Sequence, residues 1–318
     1  MENLIFAIND EPYCLWGYDL DERNSEFLNG IDTKYFDYLL NLYLDSDEEK
    51  RAAIAIRITL HHAIETFFSF LGAYIQAPKC VYAWMEKCSN KQLRKFVESV
   101  GEGNNQVITI LNINSVSWFN IAESIFRKYE SGTEKNIKTT KLYEKLWRRL
   151  AHEFLEQNYI NEYNSIKHGF RIRPGGFSLT IGTEKEYGVS KTPEQMRLMG
   201  KSKYGSTFFK IETIGKNINE NRSLCSRRYS INWMIEKDIL LTQLVSMSIQ
   251  NIVSALRVLN GVDPRTCKYI RPSEDDAFEK PWAYSRGVFS INMDYIINEK
   301  NTMIVTREQL LEKLNKQK

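Results

Sequence analysis

A chain of 318 residues with 42% hydrophobic and 26% charged side chains is long enough to bury a substantial core and too apolar to stay disordered. Its formal net charge of +3 is too small to argue for nucleic-acid binding by the whole molecule, so that argument needs local clustering. Five cysteines (Cys14, Cys80, Cys88, Cys225, Cys267) form no C-x-x-C pair, and the acidic N-terminus and lack of a run of about eighteen apolar residues speak against an export signal and a membrane span. Reduced thiols and a cytoplasmic location are the expectation.

Residues 1–33 mix aromatics, acids and Asn/Gly turns without a sustained period, and read as irregular structure or short strands wrapping the main body. From 34 to 261 the pattern is that of a helical bundle. A short helix over 33–44 carries Phe36, Leu39, Leu40 and Tyr43 on one face. Ser46-x-x-Glu49 has the form of a capping box and opens a long helix that runs to a stop at Pro78. Within its apolar stripe (Ile64, Phe67, Phe68, Leu71) stand Arg57, His61 and Glu65, which at i, i+4 and i+8 fall within about 80° of one face. Helices over 79–88 and 90–100, a strand or extended link over 107–113 and a helix from Ser115 to about Tyr129 follow.

Residues 134–168 are predicted as a long core helix interrupted near 158–161, because Leu142, Leu146, Leu150 and Phe154 recur every fourth residue. Lys135, Lys138, Lys141, Lys145, Arg148 and Arg149 on it read as a solvated face answered by Glu134, Glu144 and Glu153. At about 171–232 the grain changes to β-rich runs over 177–181, 207–214 and 228–231, joined by a polar, mobile loop at 185–203. Helix resumes over 233–259 and stops at Asn260-Gly261. Residues 262–318 read as an arm ending in a short helix capped by Thr306-x-x-Gln309. The expected fold is mainly α: a helical bundle with a small antiparallel β insertion, α+β by content.

The chemistry-bearing residues concentrate on two helices. His61 and His62 lie on the first, with Glu65 and Arg57 near them; His152 and His168 lie on the second. Gly169 suits a left-handed helix end, which puts Lys167 and His168 in a last turn where the helix dipole favours positive charge. With Arg171 close by, that end is a candidate site for an anion such as a phosphodiester, and Asn164, one turn earlier, is placed to orient the imidazole or the substrate. No phosphate-binding P-loop, dinucleotide fingerprint or G-x-S-x-G elbow occurs.

Asn164-x-x-x-His168-Gly169 at a helix end, in a mostly helical chain, resembles the HEPN group, many of whose members are ribonucleases of toxin and antiviral-defence systems. The group's motif pairs an arginine and a following polar residue with a histidine four to six residues after the arginine. Asn164 matches the polar position and His168 the histidine, whereas Tyr163 stands where the arginine belongs. The resemblance implies RNA as partner, a homodimer, no cofactor, and metal-independent cleavage with His168, Asn164 and Lys167 catalytic. Arg171 and Arg57 would bind phosphate, supported by His61, Glu65 and His152. Two other classes compete: a non-catalytic helical module that binds a protein partner, and a metal enzyme using His61 or His62 with Glu65, His152, Glu153 and His168. The paired Glu-x-x-His repeats of a di-iron bundle are absent.

Overall fold

The computed structural model describes residues 3–16, 20–103, 107–127, 134–184, 186–189, 191–214, 223–285, 287–297 and 306–316. It is mainly helical, with three small antiparallel sheets. Two compact units emerge, Met1–Asn164 with Met234–Ser285, and Ser165–Trp233 with Arg286–Lys318.

The first unit opens on a hairpin, β1 (Asn3–Ile8) and β2 (Glu11–Trp16), that turns at Asn9 in the left-handed region. Helix α1 (Leu20–Gly30) follows, and its buried residues are only Asn24 and Leu28. So sparse a buried face leaves no period to read, which is why a region expected to be irregular or short strands contains a helix as well. Hydrogen bonds tie it down: Trp84 Nε1 donates to the Ala7 carbonyl (3.0 Å), and Asn24 Oδ1 accepts from the Val81 N–H (2.8 Å).

Helices α2 (Tyr35–Leu44) and α3 (Glu49–Gln76) come next. The expected capping box at Ser46 does not form. Ser46 Oγ accepts instead from the Glu48 N–H (3.2 Å), and Glu48 itself occupies the N-cap without a side-chain bond, so the helix starts too late for Ser46 to reach its third N–H. A capping box does form at Ser89-x-x-Gln92, where α5 (Asn90–Gly101) follows α4 (Val81–Lys87). The segment 107–113 is irregular, with bends at Val107 and Leu111 and no strand, and α6 (Trp118–Phe126) starts at the cap Ser117; Tyr129, where this helix was expected to end, lies outside the described residues.

Helix α7 (Glu134–Leu155) buries Tyr143, Leu146, Trp147, Leu150 and Phe154. The break before α8 (Gln157–Lys167) falls at Glu156, slightly ahead of its expected place, because the Glu156 carboxylate accepts the Tyr159 N–H (3.0 Å) and starts a new helix.

In the second unit, β3 (Arg173–Pro174), β6 (Gly205–Ile214), β7 (Ser223–Asn232) and β8 (Ser290–Ile297) form an antiparallel sheet in the order β3-β6-β7-β8. β4 (Ser178–Ile181) pairs with β5 (Arg197–Lys201). Two expectations change here. The 185–203 stretch, read as a loop, contains β5, because Arg197–Lys201 finds a partner strand. The segment after 262, read as one arm, divides: 262–285 belongs to the helical unit, where Tyr143 Oη donates to the Ile270 carbonyl (2.7 Å), and 290–297 joins the sheet. The alternation Ile291, Met293, Tyr295 is the strand signal that an arm reading passes over. Helix α11 (Arg307–Lys316) has the expected Thr306/Gln309 box, each backbone N–H donating to the other's side chain.

Helix α9 (Ile235–Leu259) returns to the first unit and packs along α3, burying Leu241, Val245, Ile252 and Leu256; a short helix of the same unit, α10 (Lys280–Ala283), follows it. Each such side chain contributes roughly 1.5–3 kcal/mol by leaving water. Contrary to the reading of the sequence, α9 is long and apolar enough to cross a membrane, since Ser, Thr and Gln dilute its hydropathy without adding charge. Of its most apolar window, 72% is buried inside the fold, as a core helix requires.

Candidate functional site

Arg57, His61 and Glu65 share a face of α3 as their spacing predicts, and that face meets α8. Glu162, completely buried, receives three donors on one carboxylate oxygen: Arg57 Nη2 (2.8 Å), Arg57 Nε (3.0 Å) and His61 Nε2 (3.2 Å). Arg57 Nη1 reaches Asp238 on α9 (3.1 Å). The His61 ring is stacked on Tyr163 (centroids 5.0 Å apart, planes 2° apart) and touches Tyr159 at 4.0 Å. Tyr163 in turn hydrogen-bonds Glu65.

The electrostatics follow from burial. Burial opposes the charge on Arg57, but Glu162 and Asp238 overcome it and raise its pKa. His61 is pulled down to about 4, first by burial and then by the Arg57 charge, so near neutral pH it is an uncharged hydrogen-bond donor to Glu162 and not its ion-pair partner. Burial lifts Asp238 to about 6 against the pull of Arg57. Burial likewise raises both tyrosines, with the Glu65 charge and hydrogen bond adding at Tyr163. A fully enclosed imidazole and a guanidinium held by two carboxylates are arranged to hold three helices in register; the imidazole has no access to an outside substrate, and the guanidinium is engaged by its two carboxylates. Arg57, expected to bind phosphate, is therefore committed elsewhere.

Glu162, Asp238 and Tyr159 were absent from the sequence-derived set. One signal was available: Glu162 sits at helical spacing from Tyr159 and Ile166, and Asp238 from Leu241 and Thr242, so each carboxylate lies on a face bound for the core.

Asn164 is half-buried at the end of the first unit, while Lys167, His168 and Arg171 are exposed at the start of the second. Gly169 takes the left-handed conformation anticipated for it (φ 103°), and Phe170 follows with φ 52°, uncommon for a bulky side chain. The Phe170 N–H donates to the Ile166 carbonyl (3.0 Å) and the Arg171 N–H to that of Ser165 (2.7 Å), which closes the helix end and leaves the Lys167 and His168 side chains at the surface.

Other polar clusters resolve into structural pairs. On α7, Lys145 and Arg149 meet Glu279 (2.7 and 2.8 Å), Lys138 meets Asp275, and Arg148 meets Glu144 (3.2 Å). The answering acids come mainly from 275–279 and only in part from the helix itself. Glu153 binds Lys237 (2.5 Å), His152 is exposed, and His62 is exposed with its ring edge-on to Phe36. Among the described residues no group of three His, Cys, Asp or Glu side chains is placed to hold a metal ion.

Charge is segregated between the units. The β unit carries 19 lysines and arginines against nine acids, a net of +10, and the helical unit 24 against 31, a net of −7; together they make the +3 of the chain. No protein-family model, curated protein or solved structure matches this chain. Charge, exposure and geometry are thus the guides to function.

Proposed function

We propose that this protein binds RNA through its β unit and cleaves it at the Lys167–His168 helix end. The observation that carries the reading is the +10 net charge of the unit on which Lys167, His168, Arg171 and Arg173 are all exposed. A polyanion gains from such a field by releasing counterions, whatever its sequence. The resemblance to HEPN ribonucleases assigns the same helix end to chemistry.

In this mechanism His168 takes the proton of a ribose 2′-hydroxyl. The 2′ oxygen attacks the adjacent phosphorus, the bond to the 5′ oxygen breaks, and that oxygen takes up a proton from His168 or water. Lys167 and Arg171 stabilise the charge that develops on the phosphate oxygens. The products are a 2′,3′-cyclic phosphate and a 5′-hydroxyl end. A second copy of the chain, as in a homodimer, would supply further cations to the phosphate.

A second reading, RNA binding without cleavage or a protein-interaction role, is favoured by Tyr163: it fills the motif's arginine position and is packed against His61. The test incubates the full chain with single-stranded RNA in EDTA and follows binding and cyclic-phosphate ends. Cleavage lost in His168→Ala with binding retained supports the catalytic reading. Binding without cleavage by the unaltered chain supports the second, and absence of binding overturns the RNA reading altogether.

A further inference from the structure

The four-stranded sheet has two unlike faces, and the register says which residues belong to each. Directly opposed residues in antiparallel strands project to the same side. Arg173 pairs with Thr207, Phe209 with Arg228, and Arg228 with Met293; Ile211 and Tyr295 both pair with Ser226. Since side chains alternate along a strand, these rows lie on one face. There Phe209 (61%), Ile211 (71%), Met293 and Tyr295 (48% each) are exposed, as is Arg173, and the Nε–H of Arg228 is covered with no hydrogen-bond partner among the described residues.

The opposite face is different. Phe208 and Tyr229 are buried and stacked (5.0 Å, 8°), and the only acids on the four strands are here and already engaged. Asp294 pairs with Arg227 (2.5 Å), while Glu212 meets Arg227 (3.2 Å) and Lys210 (3.3 Å) and accepts the Tyr229 hydroxyl (3.0 Å). The exposed face therefore holds two arginines, two aromatic rings and no carboxylate on the described strands.

From this we infer that the exposed face is a stacking platform for the bases of single-stranded RNA, with Phe209 and Tyr295 receiving bases while Arg228 and Arg173 meet bases or phosphates. The inference rests on the RNA reading above and specifies it. An apolar partner would not need arginine at the centre of its contact. A polyanion with flat, unstacked bases matches both the net positive charge of the unit and the rings, and rings on a sheet accept any base because each has a π-face. From strand spacing and rise, Phe209 and Tyr295 stand roughly 12 Å apart, room for bases that are not neighbours in a stack. Duplex RNA, whose bases are stacked internally, would use the cations alone.

The test measures the affinity of the full chain, and of Phe209→Ser and Tyr295→Ser, for single-stranded and for duplex RNA, with thermal melting and molar mass recorded for each. Because both side chains are exposed, folding is expected to be intact. The expected result is single-strand binding about 5-fold to about 100-fold weaker in each variant, with duplex binding and melting temperature unchanged. Unchanged single-strand affinity overturns the platform while leaving the RNA reading standing. No RNA binding by the unaltered chain overturns both. A dimer of the unaltered chain that Phe209→Ser dissociates makes the face a self-interface and also overturns it.

Discussion

Arg57 and Arg173 illustrate two uses of the same side chain. In the helical unit the largely buried Arg57 is held between Glu162 and Asp238, with its guanidinium 5.9 Å from the Tyr159 ring. In the β unit Arg173 is exposed on a sheet face whose described strands carry no acid. A cation enclosed by carboxylates contributes to stability and registry; a cation at the surface of a +10 unit contributes to the field that a ligand meets.

This contrast sets the expected effects of mutation. Arg57→Ala leaves two buried carboxylates without their cation and costs about 3–5 kcal/mol, read by chemical denaturation. Arg173→Ala changes stability by less than about 0.5 kcal/mol. Equal effects at the two positions would erase the distinction.

Acidification probes the buried cluster next. The unfolded chain protonates a histidine near 6.5, whereas His61 stays neutral to about 4, so His61 costs stability as pH falls through that window, by roughly 3 kcal/mol in all. Asp238 acts in the opposite direction: folded, it holds a proton up to about 6 that the unfolded chain releases near 3.8, so its contribution falls as pH rises. The two largely offset each other between pH 4 and 6. Relative to the unaltered protein, Asp238→Asn is expected to lose stability more steeply on acidification, and a parallel pH profile would contradict the assignment.

Smaller effects belong to Tyr163 and the surface. Tyr163→Phe removes the hydroxyl bonded to Glu65 and lowers stability by about 1 kcal/mol without altering RNA affinity. Lys167→Ala and Arg173→Ala leave melting unchanged but each reduce the slope of log affinity against log salt by about 0.7, the value for one phosphate contact on a single strand.

The helices were legible because their apolar residues recur with a helical period: the α3 and α7 stripes and the Gly169 and Gly261 stops all follow from spacing. The shared face of Arg57, His61 and Glu65 was legible for the same reason. Its partners Glu162 and Asp238 were not, since periodicity says which way a side chain points and nothing of which distant helix meets it. Strand β8 was missed because its partner β7 is far away in sequence, and the two faces of the sheet become distinct only once the register is fixed. The segregation of charge was hidden in a total near zero, in which the −7 of the helical unit cancels most of the +10 of the other.

The central claim is that the β unit binds RNA through exposed cations, and salt tests it most directly. Titrate the full chain with single-stranded RNA from about 50 to about 200 mM salt. Contacts from the exposed Lys167, Arg171 and Arg173 and from the partly buried Arg228 predict a log–log slope of about −3. Absence of binding at the lowest salt, or an affinity indifferent to salt, would contradict it.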